Sequence, residues 1–111
     1  MTPEALHDLI AAGETLAVEF KGEEKAPLND RELVETVVCL ANRTGAEPGY
    51  LLVGVEDDGR ITGARPRHGT TTDADRVAAL IAGRTRPALS VSVGVVSLQN
   101  AEILAIEIPP T

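Results

Sequence analysis

The sequence has almost no aromatic residues, with one Tyr, one Phe and no Trp among its 111 residues. This scarcity removes the stacking platforms on which single-strand binders and RNA-recognition modules depend. No apolar run approaches the roughly 20 residues that a transmembrane helix needs, so no membrane span is expected. The single Cys cannot form an internal disulfide. A lone thiol fits a reducing compartment, and we therefore expect a cytoplasmic protein.

Basic residues are also in the minority. Ten Lys and Arg stand against 17 Asp and Glu, which gives a formal net charge of −7. A nucleic-acid binder usually concentrates positive charge on one face. Several cations in the second half of the chain either form such a local surface on an acidic body or merely solvate it. They are Arg60, Arg65, Arg67, His68, Arg84 and Arg86.

The length suits one domain, which we place at residues 1–111. Its 43% apolar and 24% charged residues are typical of a globular protein. Apolar periodicity and capping residues predict eight elements in the order αβαββαββ. The expected ranges are a helix at 3–12, a strand at 16–21, a helix at 30–42, strands at 50–55 and 60–63, a helix from 73 or 74, and strands at 89–98 and 102–108. This order predicts an α+β fold, a mixed β-sheet with helices packed on it.

The last predicted strand runs directly into Pro109 and Pro110. Two prolines after a strand are typical of a domain edge or of the start of a linker. We therefore expect this domain to be the N-terminal module of a longer protein that continues beyond Thr111.

Two glutamates and a lysine around the first predicted strand are the first candidates for chemistry. Glu19 and Lys21 share the polar face of that strand, and Glu14 lies just before it. Carboxylates beside a lysine can hold a hard cation and position a phosphodiester, as in metal-dependent nucleases. Because five extended residues span roughly 17 Å, Glu14 and Glu19 can share one ion only if the chain bends near Thr15. The spacing alone favours a structural interpretation, a turn followed by a solvent-facing Glu–Lys pair.

A second acidic group, Glu56, Asp57 and Asp58, follows the most buried predicted strand. These carboxylates meet Glu19 if the two strands are neighbours, which is common for strands joined by a crossover helix. The alternative is an Asp-Gly hairpin turn in which the acids only favour the turn.

Three blocks of the sequence resemble the Schlafen-type Alba-like (AlbA_2) domain. The run ETLAVEFK at residues 14–21 resembles its E-x4-E-F-K signature. A helix ending in LAN at residues 40–42, followed by LLVGVEDDG at 51–59 and ITG at 61–63, is similar to a second block. The closing run ILAIEIP at residues 103–109 is similar to a third. The resemblance implies a DNA-binding module near the start of bacterial transcriptional regulators or helicase-related proteins.

In the Schlafen branch of this family, two glutamates and an aspartate resemble a metal-dependent ribonuclease site. Carried over to this sequence, the resemblance implies Glu14, Glu19 and Asp57 as metal-binding and catalytic residues, with Lys21 alongside. Glu56 competes with Asp57 for the third place, because the alignment falls at a turn.

We interpret the chain as a nucleic-acid-binding domain, for DNA or RNA, that acts in transcription control and needs no cofactor. The residues expected to contact phosphates are Lys21, Arg60, Arg65 and Arg67. The alternative from a different class is a Mg²⁺- or Mn²⁺-dependent endoribonuclease that uses Glu14, Glu19 and Asp57. A third interpretation is a protein-interaction or homodimerisation module whose strand edges pair between chains.

Overall fold

The computed structural model describes residues 1–110, in which three helices and four strands form one layered unit. In chain order they are α1 (Pro3–Ala12), β1 (Val18–Lys21), α2 (Asp30–Arg43), β2 (Gly49–Val53), α3 (Ala74–Arg84), β3 (Ser92–Leu98) and β4 (Ala101–Ile108). The strands form a mixed sheet in the order β1-β2-β4-β3. β1 and β2 are parallel and are joined through α2, whereas the other two neighbouring pairs are antiparallel. The predicted α+β fold is therefore confirmed.

Each helix begins at a capping side chain that the sequence indicates. Thr2, Asn29 and Asp73 each accept a hydrogen bond from an amide of the first turn that follows. α1 ends at Gly13, whose φ of 83° lies in the left-handed region that favours glycine. Local capping chemistry thus determines where the helices start.

The sheet buries apolar side chains on both faces. α2 and α3 cover one face, where Leu33 and Ile81 pack against strand residues such as Leu51. α1 covers the other face, where Leu6 packs with Phe20. Within residues 1–110, none of the three helices combines the length and apolar character that a membrane span requires.

The strand predicted at residues 60–63 does not form. Within the described part of the chain, its only strand-like pairing is a single antiparallel bridge between Val55 and Ile61. The next two amides donate to the Gly54 carbonyl at 3.0 and 2.9 Å, so the chain folds back on itself instead of extending a ladder. The observed order is αβαβαββ, one strand fewer than the sequence pattern predicts.

The first strand is shorter than its alternating pattern predicts. Thr15 and Val18 exchange backbone hydrogen bonds of 3.1 and 3.4 Å, which turns the chain immediately before β1. Leu16 is 77% exposed as a result, although its spacing places it on the inner face with Val18 and Phe20.

Candidate functional site

A tight turn carries Glu14 back to the outer edge of the sheet. The hydrogen-bonded turn between Thr15 and Val18 precedes β1, which is an edge strand. Beyond this turn, Glu14 Oε1 accepts a hydrogen bond from the Phe20 amide at 3.1 Å. The chain therefore bends at the place where a bend is needed for Glu14 and Glu19 to meet.

Three carboxylates share a local electric field at this edge. Partial burial raises the pKa of Glu14 above its usual value, although the hydrogen bond from the Phe20 amide acts in the opposite direction. The negative charges of Glu19 and Asp57, and a side-chain hydrogen bond with Glu19, raise this pKa further. Glu19 and Asp57 therefore lie near enough to Glu14 for their charges to raise its pKa, and we call these three carboxylates the acidic cluster. Among the described residues 1–110, no group of three or more His, Cys, Asp or Glu side chains has the arrangement of a metal site.

Glu56 is engaged by its neighbours, whereas Asp57 is exposed. The Thr62 hydroxyl donates to Glu56 Oε2 at 2.5 Å. The same carboxylate lies against Gly22 so closely that a Cβ at position 22 would stand 1.9 Å from Oε2. Glu56 is thus held by Thr62 and Gly22, whereas the exposed Asp57 is the carboxylate of this turn whose charge acts on Glu14.

Lys21 lies on the α2 side of the sheet beside Glu19. The parallel register aligns Glu19 with Leu51 and Lys21 with Val53, and the side chains of both β2 residues belong to the core under α2. Glu19 and Lys21 line a groove of about 270 Å³ between β1 and α2. The α2 wall of this groove consists of Glu32, Glu35, Thr36, Cys39 and Arg43. Lys21 therefore adjoins the acidic cluster and not the predicted arginine surface.

Arg60 and Arg65 lie together on the wall of a broader groove of about 1200 Å³, bounded by α1, the loop after β2 and the β3–β4 turn. The Arg60 side chain is 58% exposed, and its guanidinium contacts Asp58 at 2.8 Å and Glu24 at 3.4 Å. Arg65 is also exposed. Its guanidinium donates to the backbone carbonyls of Glu23 at 2.8 Å and Glu24 at 3.2 Å. Both arginines are thus held at the groove, but only Arg60 shares its charge with carboxylates there.

Arg67 is buried, and this corrects the expectation that it contacts nucleic acid. Its side chain is 7% exposed, with Nη1 at 3.4 Å from Glu23 Oε2 and Nη2 at 3.2 Å from Asp30 Oδ1. Nη2 also donates to the Leu28 carbonyl. These contacts use the charge of Arg67 inside the fold, where a phosphate cannot reach it.

Glu23 is the central acceptor of this buried arrangement, and the sequence analysis missed it. Glu23 is 2% exposed, and its carboxylate accepts hydrogen bonds from the Leu28 amide at 2.6 Å and from the Arg65 amide at 2.8 Å. Glu23 therefore ties the loop after β1 to the loop before α3. A glutamate in a polar loop gives no periodic signal, and partners more than 40 residues away cannot be identified from spacing.

Asp30 and His68 complete the buried arrangement at its outer end. His68 Nε2 lies 3.0 Å from Asp30 Oδ2. Partial burial opposes the ionisation of Asp30, but hydrogen bonds from His68 and Arg67 outweigh it and lower the pKa of Asp30. We call Glu23, Asp30, Arg67 and His68 the loop clasp.

The fold and the position of the acidic cluster define a small α+β module whose charged residues gather at the edge of a mixed sheet. The model of the family described as Schlafen, AlbA_2 matches residues 14–111, and the chain belongs to this family. The matched range begins at Glu14 and includes all of the predicted site residues. Comparison with curated proteins gives no match.

Two solved structures share the fold. The DIP2311 protein from Corynebacterium diphtheriae is 25% identical, with a TM-score of 0.65 over 96% of this chain and 21% of that chain. The N-terminal domain of a RecG-related protein from Nitrosomonas europaea is 24% identical, with a TM-score of 0.62 over 100% of this chain and 74% of that chain. The present chain therefore corresponds to only 21% of the length of DIP2311.

Proposed function

We propose that this domain binds nucleic acid through phosphates that enter the groove lined by Arg60 and Arg65, and that it does so in transcription control. The observation that carries this proposal is the placement of both exposed guanidinium groups on one groove wall. Membership of the AlbA_2 family supports it. The RecG-related protein, whose N-terminal domain has the same fold, carries the name of a DNA helicase relative and is consistent with it.

The charge balance determines what kind of binding to expect. The body carries a formal charge of −7, so a nucleic acid is repelled everywhere except at local cations. Arg67 is buried and Lys21 lies in the other groove, which leaves Arg60 and Arg65 as the two phosphate contacts. We therefore expect weak, salt-sensitive binding with a shallow salt slope, since only two phosphates are contacted. Each phosphate contact contributes a slope of about −0.9 in log affinity against log salt on duplex DNA, and about −0.7 on a single strand.

Fluorescence anisotropy with labelled duplex DNA, single-stranded DNA and RNA at several low salt concentrations tests this proposal. Arg65→Ala should weaken binding and reduce the salt slope by about one phosphate contact. Arg76→Ala is the matched control, because it removes one exposed positive charge from α3, away from the groove. The proposal fails if no nucleic acid binds at high micromolar protein, or if the two variants lose affinity equally.

A second candidate function, divalent-metal-dependent ribonuclease activity, is favoured by the convergence of the acidic cluster. The charges of Glu19 and Asp57 raise the pKa of Glu14, so a cation bound among the three would relieve their repulsion. Mg²⁺ or Mn²⁺ bound there would supply an activated water and charge stabilisation at a phosphodiester. Lys21 beside Glu19 would hold the substrate phosphate. Carboxylate oxygens are the ligands that such an ion prefers, but the described residues do not form a preset group of three ligands.

Incubation of labelled tRNA with and without Mn²⁺ tests this second function. Glu19→Gln should abolish cleavage, and Glu47→Gln, which neutralises an exposed loop carboxylate elsewhere, should leave it unchanged. A binding readout is independent of activity: in titration calorimetry, Mn²⁺ should bind the wild type more tightly than Glu14→Gln. Equal cleavage by wild type and Glu19→Gln would exclude the acidic cluster as the site.

A further inference from the structure

The two edges of the sheet differ in how they are protected. At the β1 edge, the Phe20 amide already donates to Glu14, and Glu19 and Lys21 place charges along the strand. At the opposite edge, β3 has β4 as its single neighbour among the strands of residues 1–110. No Asp, Glu, Lys, Arg or His lies between Arg86 and Glu102, a range that contains all of β3. Charged residues and prolines usually protect an exposed strand edge, and the seven residues of β3 have neither.

The β3–β4 turn determines which β3 amides face outward. Gln99 and Asn100 have φ values of 53° and 62°, as expected for a two-residue hairpin turn that Leu98 and Ala101 close. In such a hairpin, the closing pair is hydrogen-bonded, and hydrogen-bonded residues alternate along the strand. The even-numbered residues of β3 therefore bond to β4. The outward-facing amides and carbonyls are those of Val93, Val95 and Ser97.

These outward groups have no partner in the described part of the chain. Within residues 1–110, no hydrogen bond apart from the β3–β4 ladder involves a β3 residue. Val95, at the centre of the strand, is also one of the few large apolar side chains that are exposed, at 36%. The β3 edge thus offers a complete set of backbone donors and acceptors beside an exposed apolar residue.

We propose that a second copy of this chain pairs with β3 in an antiparallel, two-fold symmetric manner. A two-fold axis perpendicular to the sheet places equivalent side chains of the two copies on the same face of the joint sheet. Two residues that lie directly opposite each other must therefore both have odd numbers or both have even numbers. The register centred on Val95 satisfies this condition and uses all seven residues. It places Val93 opposite Ser97 of the second copy and Val95 opposite Val95 of the second copy. Every outward-facing amide then meets an outward-facing carbonyl.

Charge opposes the approach of a second copy less at this edge than at the charged parts of the surface. Two bodies of −7 repel each other, and the uncharged run from Pro87 to Ala101 is where their backbones approach without like charges directly opposite. The result is a continuous sheet of eight strands, four from each copy. Further copies cannot add at the β1 edge, because the Phe20 amide there already donates to Glu14. The assembly therefore closes as a dimer.

Sedimentation analysis from low micromolar to millimolar protein tests this proposal. The wild type should dimerise, and more strongly at higher salt, which is opposite in sign to nucleic-acid binding. Val95→Lys places two like charges opposite each other at the axis and should abolish the dimer. Val38→Lys is the matched control, because Val38 is 37% exposed but lies on α2. If Val95→Lys proves unfolded, Ser97→Lys provides a second test. It removes no apolar side chain and should also abolish the dimer.

Amide hydrogen exchange identifies the interface directly. The Val93, Val95 and Ser97 amides should exchange fast in dilute protein and become protected as concentration rises. The amides that bond to β4, such as Gly94 and Val96, should be protected at all concentrations. A protein that stays monomeric at millimolar concentration overturns the proposal. A dimer that survives both lysine variants, or one in which these three amides still exchange freely, also overturns it.

Discussion

Removal of the Arg67 guanidinium should destabilise the domain severely, although the sequence pattern suggests a surface residue. The side chain is 7% exposed and contacts the carboxylates of Glu23 and Asp30. Arg67→Ala leaves Glu23 as a buried charge without its cation, a change that typically costs about 3–5 kcal/mol. For a domain of this size, about 4 °C of melting temperature corresponds to 1 kcal/mol, so the midpoint should fall by about 12–20 °C.

Urea and thermal unfolding followed by circular dichroism measure this loss. Arg31→Ala is the matched control, because Arg31 forms a surface pair with Glu35 and its side chain is 84% exposed. That pair should contribute only about 0.3–0.5 kcal/mol. A double-mutant cycle of Glu23→Gln with Arg67→Met should give a coupling energy between about 0.5 and 3 kcal/mol. Equal midpoints for Arg67→Ala and Arg31→Ala would refute the structural role of the loop clasp.

Three further predictions concern titration and backbone geometry. The lowered pKa of Asp30 contributes stability above its unfolded value of about 3.9, and this stability is lost as pH falls through the folded value. The stability difference between wild type and Asp30→Asn should therefore be largest at neutral pH and shrink in acid; a constant difference would contradict the assignment. The raised pKa of Glu14 has the opposite sign, because ionisation costs the folded state stability as pH rises through the folded value. In urea unfolding, Glu14→Gln should gain stability relative to the wild type as pH rises above the unfolded value of about 4.3, and a parallel pH profile would contradict the raised pKa. Gly54→Ala should strongly destabilise the domain in a thermal melt, because φ is 105° and the new Cβ would lie 2.4 Å from the Ala64 amide nitrogen. Gly45→Ala is the control, because its new Cβ would meet no atom within 4 Å and its melting temperature should stay close to that of the wild type.

Local sequence signals predict those helices and strands that depend only on interactions between neighbouring residues. Thr2, Asn29 and Asp73 cap their helices because each side chain needs only an amide two or three residues away. The same reasoning fails at residues 60–63. There an Asp-Gly turn indicates a hairpin, but the following amides bond to the Gly54 carbonyl and leave a single bridge.

The candidate site likewise depends partly on local turns and partly on contacts between residues far apart in the sequence. Glu14 can approach Glu19 only if the chain bends at Thr15. The sequence spacing states that condition, but only the backbone hydrogen bonds between Thr15 and Val18 establish the bend. The burial of Arg67 depends on Glu23, which lies 44 residues earlier in another loop. No periodicity connects two loops, so a buried arginine and an exposed one look alike in the sequence.

The value of an exposed arginine on this acidic body depends on what its guanidinium already contacts. Coulomb energy falls only as the inverse of distance, so Asp58 at 2.8 Å and Glu24 at 3.4 Å offset much of the attraction that Arg60 offers a phosphate. The partners of the Arg65 guanidinium are backbone carbonyls, which orient the group without neutralising it. Arg65 should therefore dominate phosphate binding, and Arg60 should contribute fully only once its own carboxylates are displaced or screened. The proposed nucleic-acid interface would then be centred on the loop that Glu23 holds in place, because the Arg65 amide is one of the groups that Glu23 binds.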